Sequence, residues 1–366
     1  MANIFDYMKW RDISLENVEF NEVDNLILSR LSYLPFDGVI GKDEEITLKE
    51  AYERTKILGT TGRTLQAEDI DLYPVLAKSI RFGKCKVTNF INKIEPEAEK
   101  QFSAITVILP NDTIYVSFRG TDNTIIGWKE DFNMSFSDIV PSQLDSVEYL
   151  DEVAKKYKNK LRVGGHSKGG NLAVYAGVFC NDETKKQIIE IYNNDGPGFL
   201  DKVIESEEYK EMLNKVHTYI PQTSVIGRLL KHKEKTTIVK STETGIMQHD
   251  LYSWQVMGDK FVRAKQTDYS DFIDSTITNW LKEVSPKQRE EVIDTWFEIL
   301  NSTNVKTVNE LSSKKIRNVT AMIRTYSNLS AETKKIMTKT LMALLRAGKD
   351  NIAIGKPKDN KEIDKI

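Results

Sequence analysis

The pentapeptide Gly165-His166-Ser167-Lys168-Gly169 constrains this chain more than any other stretch. Before it, Leu161-Arg162-Val163-Gly164 reads as a buried strand, and after it Asn171 to Val178 reads as a helix with almost no charge. A strand that turns directly into a helix through G-x-S-x-G is the setting of a nucleophile elbow, with the serine on a strained turn. The flanking positions must then be small, because a β-carbon at Gly165 or Gly169 would strike the helix or the preceding strand. On this reading the glycines serve the geometry, and Ser167 is the nucleophile of a covalent mechanism.

Acyl transfer through a serine also needs donors for the tetrahedral oxyanion. The β-prone run Ile114 to Phe118 follows the turn Pro110-Asn111-Asp112 and ends in Gly120-Thr121, where a tight turn would point the Thr121 amide and hydroxyl inward. The second donor is the amide of Lys168, next after the nucleophile. The Lys168 side chain is expected either to put a cation near the reacting carbonyl or to be solvated on the elbow helix.

Phe118-Arg119-Gly120-Thr121, followed by Trp128 and Asp131 and then by Gly165 through Ala173, resembles the core of the class 3 lipases and of uncharacterised bacterial lipase-like hydrolases related to them, over roughly residues 100 to 260. The resemblance implies an oxyanion hole built on Thr121, Ser167 as nucleophile and a late histidine as base. Two positions depart from the pattern. Lipases of this class usually carry an apolar residue where Lys168 stands, and the segment that holds their aspartate has no acid here.

Four histidines are available as base: His166, His217, His232 and His249. The triad order of α/β-hydrolases is serine, acid, histidine. His166 adjoins the nucleophile and is expected to pack, His217 alternates as a strand residue, and His232 between Lys231 and Lys233 is expected in a solvated turn. His249, in the loop Gly245 to Tyr252, is the expected base. For the acid, no Asp or Glu occurs from Met212 through Lys233. Asp195, where the strand Ile189 to Asn194 runs into Gly196-Pro197-Gly198, is the candidate; it would hold the imidazole tautomer and favour the imidazolium. The alternatives are an aspartate that only caps this turn and a Ser-His dyad assisted by Ser224.

The rest of the chain is read around this centre. Its 366 residues, 40% hydrophobic and 29% charged, suffice for a large core. Residues 1–95 are expected to be an N-terminal helical region packing on the core, with Val23, Leu26, Ile27, Leu31 and Leu34 at helical spacing and a break at Gly59 to Gly62. Residues 96–262 are expected to be an α/β-hydrolase core, a doubly wound, mostly parallel sheet. Its strands fall near 104–109, 113–118, 161–164, 188–193, 216–220 and 236–240, with an amphipathic helix from Leu144 to Tyr157. Residues 263–350 read as a C-terminal helical region with apolar stripes at Ile273, Ile277, Trp280 and Leu281, at Val292, Trp296, Ile299 and Leu300, and from Ala331 to Leu345; 351–366 are a charged tail. There is no internal repeat.

A net charge of −2 gives no electrostatic reason to expect nucleic acid as a partner. Cys85 and Cys180 indicate neither a disulfide framework nor a metal site, and no cofactor is expected. Cys85, between lysines, is expected to be half-buried, with a modestly reactive surface thiol as the other reading. The start lacks a basic, apolar export signal and no window reaches transmembrane length, so a cytoplasmic protein is expected. Ile125, Ile126 and Trp128 lie in an apolar loop where the resembled lipases keep a lid, and Ile226 and Leu229 lie in the segment that would form the opposite wall; both suit an acyl chain. The expected function is cofactor-free serine hydrolysis of carboxylic esters, of small-molecule, lipid or lysophospholipid type, with peripheral contact to lipid. A thioesterase or amidase with the same machinery is the nearest rival, and a catalytically silent hydrolase fold serving as a binding or regulatory module is the other.

Overall fold

The structure, a computed structural model, describes residues 1–265, 285–301 and 324–338, apart from residues 42, 63, 123, 124, 135, 328 and 336. The apolar stripe at Ile273 to Leu281, the end of the Ala331 to Leu345 stripe and the charged tail lie outside the described residues.

Among the described residues eight strands form one sheet: β1 Ile46–Thr47, β2 Lys86–Glu95, β3 Lys100–Ile108, β4 Ile114–Phe118, β5 Leu161–His166, β6 Ile188–Asn194, β7 Val216–Pro221 and β8 Thr236–Val239. Their order in space is their order in the chain. Pairing is antiparallel from β1 to β4 and parallel from β4 to β8. A hairpin of β9 Val256–Met257 and β10 Lys260–Phe261 stands apart. Helices among the described residues include α1 Ile4–Trp10, α2 Glu22–Leu31, α3 Leu48–Ile57, α4 Glu68–Lys78, α5 Ile125–Asn133, α6 Pro141–Lys156, α7 Lys168–Phe179, α8 Asp182–Gln187, α9 Asp201–Ile204, α10 Glu207–Met212 and α11 Pro286–Asn301. Among the described residues no helix is long and apolar enough to cross a membrane.

The fold is α/β, with helices on both faces of the sheet, but the doubly wound order expected from the alternating pattern does not occur. A doubly wound sheet reverses its strand order at one point. Here successive parallel strands always step the same way, and right-handed crossovers then put every connecting helix on one face. On that face Leu150 and Val153 of α6 and Leu172 and Val174 of α7 pack on Val116, Phe118, Val163 and Ile191. Strand residues of the opposite parity, Tyr115, Tyr192, Tyr219 and Val239, pack with Leu26, Ile27 and Leu28 of α2, Leu72 and Leu76 of α4, Trp254 and Phe261. Among the described residues the second face is therefore closed by the helices that precede β2 and by the segment from Leu251 to Phe261 rather than by crossovers.

Strands β1 and β2 arise within the stretch expected to be mainly helical. Asn89, with φ 51°, lies at the register shift between Thr88 and Ile91. That bulge breaks the period of two by which a strand is recognised.

Register brings the strand ends level. Phe118 pairs with Gly165, His166 with Asn194, and Asn194 with Tyr219. The residues that follow β4, β5 and β6, namely Arg119 to Thr121, Ser167 and Asp195, thus leave the sheet side by side at its carboxyl edge. This is the edge at which open α/β sheets bind ligands.

Candidate active site

Strand β5 ends at His166 and α7 begins at Lys168, so the chain reverses at Ser167 alone. Ser167 has φ 59° and ψ −134°, a conformation that costs a non-glycine residue about 1–3 kcal/mol. A β-carbon at Gly165 would stand 2.3 Å from the Gly169 backbone, and one at Gly169 would stand 2.2 Å from the Phe118 carbonyl oxygen. The second clash is with β4 rather than with the strand that precedes the turn. The Ser167 amide donates to the Asn194 carbonyl at 3.0 Å, which ties the turn to the end of β6.

Asp195 follows β6 at once, with φ 54°, and its amide donates to the Tyr219 carbonyl at 2.9 Å. Its carboxylate is fully buried, and Oδ2 accepts from His249 Nδ1 at 2.7 Å, while the His249 side chain is 25% exposed. With the proton on Nδ1 directed at a carboxylate, the neutral ring carries its lone pair on Nε2. The other oxygen, Asp195 Oδ1, is buried without a hydrogen-bond partner among the described residues, and the Gly227 backbone lies against it. Ser167 makes no hydrogen bond to His249 among the described residues; such bonds often close only around bound substrate.

His166 packs, as expected, and its neighbour is His249 itself. The ring centroids are 4.5 Å apart, and His166 Nε2 donates to the His249 carbonyl at 2.8 Å. Burial, together with the charges of His249 and Arg30, holds the His166 ring well below the ordinary histidine range. His217 is half-buried, stacks on Tyr192 and lies 3.7 Å from Glu190.

His232 is not in a solvated turn. Its side chain is only 9% exposed, with Nδ1 2.9 Å from Glu234 Oε1 and Nε2 2.9 Å from the Gly227 carbonyl. Alternation explains the difference, for Lys231 reaches out to Asp201 while the next side chain points inward. Ser224 is buried and accepts the Gly227 amide at 3.3 Å, so it braces the turn that backs Asp195.

The end of β4 supplies the other wall of the turn. A β-carbon at Gly120 would stand 3.0 Å from Ser167 Cβ, so Thr121 follows directly beside the serine. The Gly120 amide donates to the Tyr33 hydroxyl at 2.9 Å, and Tyr33 donates to the His166 carbonyl at 3.2 Å. Thr121 Oγ1 donates to Asp131 Oδ2. Burial pushes the Asp131 carboxyl up to about 6, against the pull of the Lys168 charge and the Thr121 hydroxyl.

The Lys168 amide opens α7 and has no acceptor one turn earlier in its own helix. Its side chain corrects both expectations, being neither beside the carbonyl nor solvated. It is 1% exposed and paired with the fully buried Glu130 at 2.9 Å. Asp131 and Tyr33 were not assigned roles from the sequence. Asp131 belongs to the motif shared with the resembled lipases, whereas nothing near Tyr33 marks it.

The segment expected as a lid loop is helical from Ile125 onward, and the buried carboxylate of Glu130, which accepts the Gln101 and Ser142 amides, ties that helix to the sheet. Residues 123 and 124 and the side chains of Ile125 and Trp128 lie outside the described residues; Ile126 is half-buried. Helix α11 packs on α5 through Phe297 and Phe132, 6.2 Å between centroids, and through Lys129 and Asp294 at 3.1 Å. Ile226 and Leu229 are half-buried at a short 3-10 turn between β7 and β8. Cys85 and Cys180 are both buried, and burial pushes each thiol up to about 12, so Cys85 is no reactive surface thiol. Among the described residues no three His, Cys, Asp or Glu side chains gather as a metal site would require.

A profile of the Mbeg1-like family matches residues 76–298, from within α4 into α11. In sequence, no curated protein matches the chain. Among solved structures it is similar to the Rhizomucor miehei lipase propeptide complex, at 16% identity and a TM-score of 0.40 over 66% of this chain and 81% of that one. It is also similar to M37 lipase, at 13% identity and a TM-score of 0.36 over 56% of this chain and 68% of that one.

Proposed function

The chain belongs to the Mbeg1-like family, and on the geometry around Ser167 we propose that it is a serine hydrolase of the α/β-hydrolase type that cleaves carboxylic esters. The observation that carries the reading is the buried Asp195 carboxylate on His249 Nδ1 at 2.7 Å, one strand away from a serine held at φ 59°. A buried carboxylate bound to a part-exposed imidazole, whose ring packs on His166 next to the serine, supports a serine activated by a histidine and an acid.

Ser167 Oγ attacks the acyl carbon as its proton passes to His249 Nε2. Asp195 keeps the Nδ1 proton in place and stabilises the imidazolium that forms. The Lys168 amide and Thr121 hold the developing oxyanion. Collapse expels the alcohol, which takes the proton from His249. Water, deprotonated by the same ring, then releases the carboxylic acid and restores Ser167. Ile126, Ile226 and Leu229 offer an apolar border for the acyl chain, which favours small or lipid acyl esters, lysophospholipids among them, met at a lipid surface.

A fluorophosphonate probe tests this directly. Labelling of the wild type that maps to Ser167 and disappears in Ser167→Ala supports the reading; a folded wild type that does not label overturns it in favour of a binding module. A panel of p-nitrophenyl esters, phospholipids and acyl thioesters then fixes the leaving group.

A further inference from the structure

The Lys168 side chain is the one part of the Ser167 turn for which ester hydrolysis by Ser167, His249 and Asp195 has no use. Yet it is the most completely bonded. Its Nζ donates to the Gln101 carbonyl at 2.8 Å, to Gln101 Oε1 at 2.9 Å and to Glu130 Oε2 at 2.9 Å, so all three hydrogens are engaged. Glu130 is bonded at both oxygens. Its Oε2 also accepts the Gln101 amide at 3.0 Å, and its Oε1 accepts the Ser142 amide at 3.0 Å. One carboxylate of α5 thereby meets β3, the start of α6 and the first residue of α7.

Burying two charges is a poor way to gain stability, since a matched apolar pair is often as stable or more so. What the ions add is direction. Each residue of a helix is turned about 100° from the last, so anchoring Glu130 on three sides also sets the direction of Asp131, its neighbour. Asp131 in turn accepts the Thr121 hydroxyl. The circuit runs from the residue after the serine, through α5, to the residue beside the serine.

We propose that Lys168 and Glu130 are positioning residues for the oxyanion donor, fixing α5 so that Asp131 holds Thr121 beside Ser167. Lys168 then acts twice, through its amide on the oxyanion and through its side chain on the second donor. The proposal rests on the serine hydrolase reading.

The experiment compares wild type, Glu130→Gln, Lys168→Met/Glu130→Leu, Thr121→Val, and each of the first two variants combined with Thr121→Val, in steady-state hydrolysis of p-nitrophenyl butyrate. The single change Lys168→Met is omitted because it strands a buried carboxylate, whereas the double apolar variant does not. Expected is a fall in kcat of roughly 10- to 100-fold with KM within about twofold, and no further loss on adding Thr121→Val, because both routes disable one donor. A kcat within about threefold of wild type in Lys168→Met/Glu130→Leu, or losses that multiply with Thr121→Val, would overturn the proposal and leave the pair a packing feature. Should the double variant fail to fold, Lys168→Gln/Glu130→Gln, which removes both charges and strands neither, decides by the same two criteria. A wild type that neither hydrolyses nor labels overturns the hydrolase reading and this proposal together; an active wild type with an indifferent pair overturns only the latter.

Discussion

Ser167 sits where a side chain costs energy, and that cost separates its stability role from its chemical one. Ser167→Ala keeps the strained turn and is expected to lose hydrolysis by about 10⁶ in turnover while remaining folded by circular dichroism. Ser167→Gly should be as inactive and yet more stable, by about 1 kcal/mol in urea unfolding, because glycine accepts φ 59° without strain. A glycine variant less stable than the alanine one would show that the turn stores no strain. Asp195→Asn should lower turnover by roughly 10³ to 10⁴, with a smaller effect on stability than on activity, the loss expected when the imidazole loses its orienting anion. Turnover like that of wild type would leave a Ser-His dyad. The turn at Ser167 and the pairing of Asp195 with His249 were legible because few histidines follow the one G-x-S-x-G and no acid stands in the segment where the resembled lipases carry theirs. The inward turn of His232 was not legible, since the neighbouring lysines that suggest a solvated run are the ones that do reach out.

At the scale of elements, the stretch after β7 shows how the site is backed. His232 and Glu234 brace the Gly227 turn, which lies against Asp195. Burial alone would raise the Glu234 carboxyl, but the bond and charge of His232, with the hydroxyls of Thr218 and Tyr209, outweigh it and hold the group down at about 2. A carboxyl lowered by folding contributes stability that is complete above its unfolded value near 4.5 and is lost as pH falls toward 2. Wild type should therefore lose more stability than Glu234→Gln between those pH values, as read by thermal unfolding. Parallel pH curves would exclude the pair as the cause. Glu234→Gln itself should destabilise at neutral pH by about 3–5 kcal/mol, the usual result of removing one partner of a buried pair. Strands β3 to β8 and α6 were readable from apolar periodicity alone. Helix α5 was not, because six apolar and small residues fit a loop as well as a first turn, and what decides between them is the buried anchorage of Glu130, a contact across 29 positions.

Across the whole molecule, the second face of the sheet depends on parts that the family profile does not reach. Helix α2 lies before residue 76. From it and the residues just after it, Asn25 bonds Asn194 at 2.9 Å, Arg30 lies over the Tyr33 ring, and Tyr33 spans Gly120 and His166. Beneath these, Arg30 with Asp69 and Arg81 with Asp24 form bidentate pairs that are almost wholly buried. A fragment of residues 76–298 is expected to lack a cooperative unfolding transition and to bind a hydrophobic dye, since Tyr115, Tyr192 and Tyr219 lose their cover. A sharp transition in that fragment would make the first helices an addition rather than part of the core. The strand order was beyond reach of the sequence because alternation of strand and helix is the same for single and double winding; only the direction of each step differs. That one-way order has a consequence during synthesis. Asn3 is bonded to Tyr252, 249 positions later, so the first helices leave the ribosome long before the surface they cover exists. The apolar side of α2 stays uncovered until β4 to β6 have followed it, and α1 until residues 252 to 256 have. A ribosome stalled before residue 251 should carry a nascent chain that proteases still cut near its amino end, and one stalled well past residue 261 should not.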